Sequence, residues 1–325
     1  MTVENTGGSP TVSVVIAAYN AEGFLPRAVQ SALQQEELSV EIVIVDDAST
    51  DSTLAIANEL SREDARVRVV PMQRNGGPAA ARNAGIGHAR GEWIAVLDAD
   101  DEFARGHLAG LRRVAAELDA DIVLGNFTYV DPTAQRENGT GLRTDAPARR
   151  VDLVAYLEHC QGRRGQADWG LLKPIFRGRF LADRELAYPT HSRHGEDFLL
   201  IVEALLNGAK VAVSHVASYR YTHRSVGWSR TRIDYSGQVD QARTLMLDAR
   251  IVGNAAACAA LAARMRALEQ IGASHEINRA GAEGARFGLL ARAVVNPPLR
   301  AELGRRLGRK LDRLLRPDRV GKSGG

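Results

Sequence analysis

Three carboxylates crowd the end of an apolar stretch in GEWIAVLDADDEF, residues 91–103: Asp98, Asp100 and Asp101, with no basic residue among them. Two carboxylates about 4 Å apart repel by roughly 4 kcal/mol at an effective dielectric near 20. A chain that folds with them together must bring positive charge to that point. Asp98 and Asp100, one small residue apart, suit a divalent cation that takes few protein carboxylates and completes its shell with phosphate oxygens. A diphosphate leaving group calls for such a cation, because charge develops on its oxygen in the transition state. Other acids close VEIVIVDDAST (Asp46, Asp47) and open GEDFLL (Glu196, Asp197).

The elements that must position these acids alternate. TVSVVIAAYN (11–20) and VEIVIVDD are β-branched, almost uninterrupted apolar runs, read as strands buried on both faces; RVRVVPM and EWIAVLD read as a third and fourth strand. Between them, Phe24, Leu25, Ala28, Val29, Ala32 and Leu33 fall near helical spacing. DSTLAIANEL reads as a helix with Asp51 or Ser52 near its N-cap, and GGPAAARNAGIGHAR places Pro78 where a first helical turn tolerates it. Four such alternations predict an α/β fold, a mainly parallel twisted sheet flanked by helices and joined by right-handed crossovers. Ligands of such sheets gather at the carboxyl ends of the strands. Tyr19 and Asn20, Asp46 and Asp47, and Asp98 and Asp100 are therefore predicted to converge on one edge.

The 325 residues are 45% apolar, enough for a sizeable core. Cys160 and Cys258 have no C-x-x-C spacing, so neither a zinc site nor a disulfide framework is indicated, and a reducing cytoplasm is expected. A net charge of +3 gives no argument for a nucleic-acid partner. No secretory signal and no 18-residue apolar span is read, and residues 1–10 are expected to be a disordered leader. Residues 130–165 are rich in turn formers and read as a long loop or small insertion. After about residue 231 the texture turns alanine-, leucine- and arginine-rich, which sets the expected domains at 11–230 and 231–325, the second a helical appendage.

No G-x-G-x-x-G follows any strand and no Walker lysine is present, which argues against a dinucleotide or P-loop site. VSVVIAAYN, VDDASTDST, NGGPAAARNAGIGHARGEWIAVLDADD and GEDFLL, in that order, resemble the family 2 glycosyltransferases, inverting enzymes of the GT-A nucleotide-diphospho-sugar transferase fold. The resemblance covers about residues 11–223 and is similar in GLLKP and the helical tail to succinoglycan-type exopolysaccharide glucosyltransferases. It implies a UDP-sugar donor, first of all glucose, a Mn2+ or Mg2+ cofactor, and a glycan or polyprenyl-diphosphate-linked acceptor.

By the same resemblance, Ala17, Tyr19, Asn20, Asp47, Arg82, Asp98 and Ala99 belong to the nucleotide-sugar site. Asp47 would accept from the uracil ring nitrogen, Tyr19 would stack on the ring, and Arg82 would brace the aspartates or a phosphate. Asp100 looks like the direct metal ligand, with Asp98 as a further ligand or ribose partner and His223 completing the shell or touching the diphosphate. Asp197 resembles the general base, with Glu196 orienting it or the acceptor. Trp169, Lys173 and Arg224 are placed near the acceptor or phosphate, Trp169 being either a sugar platform or a core tryptophan. Taken alone, Glu196 and Asp197 at a helix start are also what the helix dipole favours, and Asp46 reads as a helix cap or backbone acceptor.

Leucines 299, 303, 307, 311, 314 and 315 share one helical face, while Arg305, Arg306, Arg309, Lys310, Arg313 and Arg316 occupy much of the rest. Such a basic amphipathic helix is expected either to lie on anionic lipid, at the inner face of the cytoplasmic membrane, or to pack on its own domain. Two rivals to the enzyme are a sugar-nucleotide-binding scaffold without catalysis, disfavoured by Asp98, Asp100 and Asp197, and a nucleotidyltransferase, which would need a basic Gly-rich loop after the first strand where AAYNAEGFLPR stands.

Overall fold

The computed structural model describes residues 10–131, 136–161, 167–192, 194–222, 233–282 and 286–315. The chain divides into two compact units, Met1–Ile233 and Asp234–Gly325.

In the first unit the apolar runs form β1 (Val12–Ala18), β2 (Val40–Asp46), β3 (Val67–Pro71) and β4 (Trp93–Asp98), alternating with α1 (Leu25–Leu33), α2 (Thr53–Glu63) and α3 (Gly77–His88). The strands are parallel, in the order β3-β2-β1-β4. Every residue of β2 is buried, and so is all of β1 except Ala17. At about 1.5–3 kcal/mol for each fully buried Val or Ile, these two strands anchor the sheet. Their registers set Ala17 beside both Val45 and Asp98, and Ala18 beside Asp46. The carboxyl ends of β1, β2 and β4 are thus flush, and the strand order reverses direction at β1, where a crevice forms in this class of sheet.

Helix α3 lies unusually close to that crevice. A Cβ on Gly85 would stand 2.3 Å from Cγ1 of Val15, so glycine is what lets the helix settle on β1. One turn earlier on the same buried side is Arg82.

Beyond β4 the sheet is mixed. The chain continues through β5 (Glu102–Phe103), α4 (His107–Glu117), β6 (Ile122–Asp131), β7 (Arg136–Thr140), β8 (Arg149–Val151), α5 (Leu153–His159), β9 (Lys173–Arg177), α6 (Gly178–Asp183), α7 (Glu196–Leu206) and β10 (Val211–Thr222). β9 runs antiparallel between β4 and β6, and β6 pairs parallel with β10. Because β9 opposes β4, its first residue, Lys173, stands at the end where β4 finishes. Residues 130–165, read from sequence as a long loop or small insertion, hold β7, β8 and α5 among those described. β7 is polar and exposed along its whole length and β8 has three residues. Neither carries an alternating pattern; pairing with β6 and β10 imposes the strand state.

The second unit is helical: Tyr235–Leu245, Ala249–Val252, Ala255–Ala282, Arg286–Val295 and Pro297–Leu315. Its small core joins Ala273, Ile277, Ala280, Leu289, Ala293 and Leu299, with Leu303 packed against it. Of the leucine face expected to meet either lipid or protein, Leu299 and Leu303 pack inward, whereas Leu307 is exposed. Arg306 adds polar fastening through Glu302, Ser274 and Asn278. Among the described residues no helix is long and apolar enough to cross a membrane.

Candidate active site

Two side chains supply the positive charge that the Asp98–Asp101 cluster demands. Arg82 Nη2 donates to Asp98 Oδ1 at 2.8 Å, and Lys173 Nζ donates to Asp98 Oδ2 at 2.5 Å. Both cations are buried. Burial alone would push the Asp98 carboxyl up, but Lys173 and Arg82 outweigh it and hold the group well below the usual carboxylate range. The Lys173 ammonium is likewise raised: burial opposes its charge, and Asp98 and then Asp197 more than offset that. Its Nζ also sits 5.4 Å from the ring centre of Tyr219 and 5.5 Å from that of Tyr221. Lys173, expected near acceptor or phosphate, is thus committed to Asp98. Asp98, expected as a metal ligand or ribose partner, accepts one hydrogen bond on each oxygen, its side chain 25% exposed.

The same guanidinium reaches the start of α7. Arg82 Nη1 donates to Glu196 Oε1 at 2.8 Å and lies 3.6 Å from Asp197 Oδ1. Tyr188 closes the guanidinium from one face, its ring centre 5.3 Å from Cζ. Gly195, at φ +83°, turns the chain into α7 in a conformation that glycine adopts freely. Arg82 therefore clamps the end of β4 to the first turn of a helix more than a hundred residues away. Glu196 is pushed up, first by burial and then by Asp197, with Arg82 opposing. Asp197 is the more open of the two acids, its side chain 22% exposed against 11% for Glu196.

Asp101 has a different task. Its Oδ2 accepts from the Tyr219 hydroxyl at 2.7 Å and its Oδ1 from the Thr222 amide at 2.7 Å, while the Asp98 amide donates to the Tyr219 oxygen at 3.2 Å. Burial, then Asp98 and Asp100, push its carboxyl well up. This latch ties the end of β10 to the turn that presents Asp100. Replacing Tyr219 by Phe leaves a buried carboxylate oxygen short of a donor and is expected to cost about 1–3 kcal/mol of stability. Urea unfolding monitored by circular dichroism measures it, and an unchanged midpoint would exclude that role.

The nucleotide side differs from expectation. Tyr19 stands just past the end of β1, 42% exposed. Asn20, in the left-handed region at φ +49°, uses its side-chain oxygen to accept from the Thr50 amide at 2.8 Å, so it joins two loops. Ala17 packs beside Val43, Val45 and Ala81, and Ala99 is buried. Asp47, expected to meet the uracil, is buried with Oδ1 on the Gly76 amide (2.7 Å) and Oδ2 on the Gly77 amide (2.8 Å), fixing the start of α3. Its neighbour Asp46 accepts from Ser49 through Oδ2, but Oδ1 is buried with no hydrogen-bond partner among the described residues. Asp46, read from sequence as a helix cap or backbone acceptor, does accept the Ser49 amide, while the amides at the start of α3 go to Asp47; neighbouring residues of an extended chain face opposite ways, so only one of the pair reaches them.

Trp169 is a core tryptophan: 3% exposed, stacked on His159 at 4.0 Å, with Arg149 5.5 Å from its ring centre. It offers no sugar-binding face. His223 and Arg224 lie outside the described residues. Asp100 is half-buried in the turn after β4, and among the described residues no three metal-ligating side chains cluster.

Residues 13–205 match the sequence family described as Glycosyl transferase family 2. The chain belongs to that family. It is 39% identical over 232 residues to the succinoglycan biosynthesis protein ExoO of Rhizobium meliloti (strain 1021), covering 70% of this chain and 65% of that protein. To ExoU of the same organism it is 35% identical over 258 residues, covering 78% and 74%. The matched region thus spans just under two thirds of ExoO. A crystal structure of S. aureus TarS 1-349 in complex with UDP-GlcNAc superposes with a TM-score of 0.61 at 24% identity, covering 80% of this chain and 71% of that one. That likeness concerns the fold, which is the GT-A arrangement. In this family 2 chain the Arg82 clamp and the Asp98–Lys173 pair are built wholly within the matched residues.

Proposed function

We propose that the protein is a metal-dependent inverting glycosyltransferase that moves a hexose, glucose in the first instance, from a UDP-sugar to a glycan or lipid-linked oligosaccharide in exopolysaccharide assembly. The observation that carries this reading is Arg82 holding Asp98, at the donor edge of the sheet, against the Glu196–Asp197 turn. The succinoglycan biosynthesis names of ExoO and ExoU support the polysaccharide class, and the UDP-GlcNAc held by TarS supports a nucleotide-sugar donor.

Tyr19 stacks on the uracil, and the unpaired buried Oδ1 of Asp46 accepts from its ring N–H. Asp46→Asn is expected to weaken UDP about tenfold, equivalent to about 1.4 kcal/mol. Asp47→Asn acts instead on stability, by loosening α3. Calorimetric titration with UDP beside thermal melts separates the two, and a loss of UDP affinity confined to the Asp47 variant would reverse the assignment. Asp197 takes the proton from the acceptor hydroxyl as that oxygen attacks the anomeric carbon and UDP departs from the opposite face, so an α-linked donor gives a β-linkage. Glu196 remains on Arg82 and orients the turn.

A divalent cation would be held by Asp100, with Asp98 beside it, since Mg2+ and Mn2+ sites of this kind use one or two carboxylates and complete their shell with water and substrate phosphate. When bound, it neutralises the charge that develops on the departing diphosphate. The exposed Leu307, with Arg300, Arg305 and Arg309, is the lipid-facing part of the second unit; unchanged sedimentation with anionic vesicles after deletion of residues 304–325 would remove that contact. UDP release across a panel of sugar nucleotides, with and without Mn2+, tests the main reading. Absence of both turnover and UDP affinity would overturn it.

A further inference from the structure

Tyr188 is buried, 2% exposed, yet its hydroxyl has no hydrogen-bond partner among the described residues. The rest of the residue is fully accommodated. Its amide donates to Asn83 Oδ1 and its carbonyl accepts from Asn83 Nδ2, both at 2.8 Å, so α3 grips this backbone through the residue next to Arg82. The ring covers the Arg82 guanidinium, 5.3 Å from centre to Cζ, and packs edge-on against Phe176 with the ring centres 6.5 Å apart. A phenylalanine would keep every one of these contacts, whereas a buried hydroxyl without a partner disfavours the fold. Such an orphan group calls for an explanation in function.

The guanidinium beneath the ring lies 3.6 Å from Asp197 Oδ1, too far for a hydrogen bond, and Nη1 donates to Glu196 instead. Asp197 is thus close to its cation without being fixed by it. Burial first, and then Asp197, push the Tyr188 hydroxyl well above the ordinary tyrosine range, with Arg82 opposing, so the group stays a donor at any working pH. A general base that offers one oxygen to an acceptor hydroxyl works best when a third group orients it.

We propose that Tyr188 is the positioning residue of the base: its hydroxyl, unpaired in the free protein, donates to Asp197 once the acceptor is bound and fixes the carboxylate for proton transfer. This rests on the reading of Asp197 as the base. The acceptor's proton passes to the Asp197 oxygen that Tyr188 does not hold, and the tyrosine keeps its own proton throughout. Before the acceptor arrives the carboxylate is free to turn, which is why the hydroxyl stands unpaired. Tyr188 itself touches neither substrate.

Tyr188→Phe removes that one oxygen. It is expected to lower kcat about thirtyfold, within the roughly 10²-fold that a small misplacement of reacting groups costs, and to leave KM for the sugar nucleotide within about twofold. Its melting temperature is expected within about 2 °C of wild type, because no hydrogen bond of the free protein is lost. In the Asp197→Asn background, assayed with radiolabelled donor and enough enzyme to read the residual turnover, the same change is expected to cost less than about twofold, since residues that act as a unit are not additive. Wild-type turnover in Tyr188→Phe, a larger fall in melting temperature, or an equal loss of rate in both backgrounds would each overturn the proposal. Near-normal turnover of Asp197→Asn alone would instead strike at the proposed function.

Discussion

Replacing Asp197 by Asn is expected to lower the rate of sugar transfer by about a thousandfold while leaving the affinity for UDP within about twofold. A positioned general base contributes roughly a factor of 10²–10⁴ to such a reaction. Of the two acids opening α7, Glu196 is bonded to Arg82 and the more buried, and burial disfavours its charged form. Asp197 lies 3.6 Å from the same guanidinium and is the more exposed, so its carboxylate can turn to an acceptor hydroxyl. The isosteric amide keeps the shape and removes the basicity. UDP release and calorimetric UDP titration on one preparation check both halves. Near-normal turnover would move the base elsewhere, and Glu196→Gln, expected to be the milder lesion, would then be the next variant to measure.

The second large effect falls on Arg82. Its guanidinium is buried against Asp98, Glu196 and Asp197, and burial, which opposes its charge, is outweighed by Asp197 and then Asp98. Removing one partner of such a buried network costs about 3–5 kcal/mol, because the remaining charges stay behind without compensation. Arg82→Met is therefore expected to lower the melting temperature by roughly 6–20 °C, at 2–4 °C per kcal/mol for a unit of this size. It should also abolish transfer, since the β4 end and the α7 start lose the cation that is hydrogen-bonded to both. Arg82→Lys should not rescue it: an ammonium concentrates its donors on one nitrogen and does not span the two carboxylates that Nη1 and Nη2 of the planar fork reach separately. A Lys variant with wild-type melting and turnover would show that the clamp is dispensable.

Much of this molecule is legible residue by residue. β1, β2 and β4 are continuous apolar runs, and each ends in the polar residues that the parallel registers then set flush. The acids at 98, 100 and 197 announce themselves for the same reason, standing where an apolar segment stops or a helix begins. β7 and β8 are silent in sequence because their strand state comes from the neighbour each pairs with. Trp169 was ambiguous because an indole suits a core and a sugar equally well, and only its stacking on His159 decides. Asp46 and Asp47 are chemically identical neighbours; the amides of Gly76 and Gly77 claim one and leave an oxygen of the other unpaired.

By itself, then, the sequence determined the alternation of strands and helices, the edge on which the strand-end acids stand, the family, and the demand for positive charge beside Asp98. Only the tertiary structure decided how that demand is met: by Arg82, 16 residues away and also bonded across 114 residues to Glu196, and by Lys173, 75 residues away. Periodicity and burial are local properties that a short window carries. Neutralising a buried charge depends on which side chains the packing of distant elements brings within 3 Å, and on that scale a helix seated on β1 by one glycine, or a strand inserted against the direction of its neighbours, settles the chemistry.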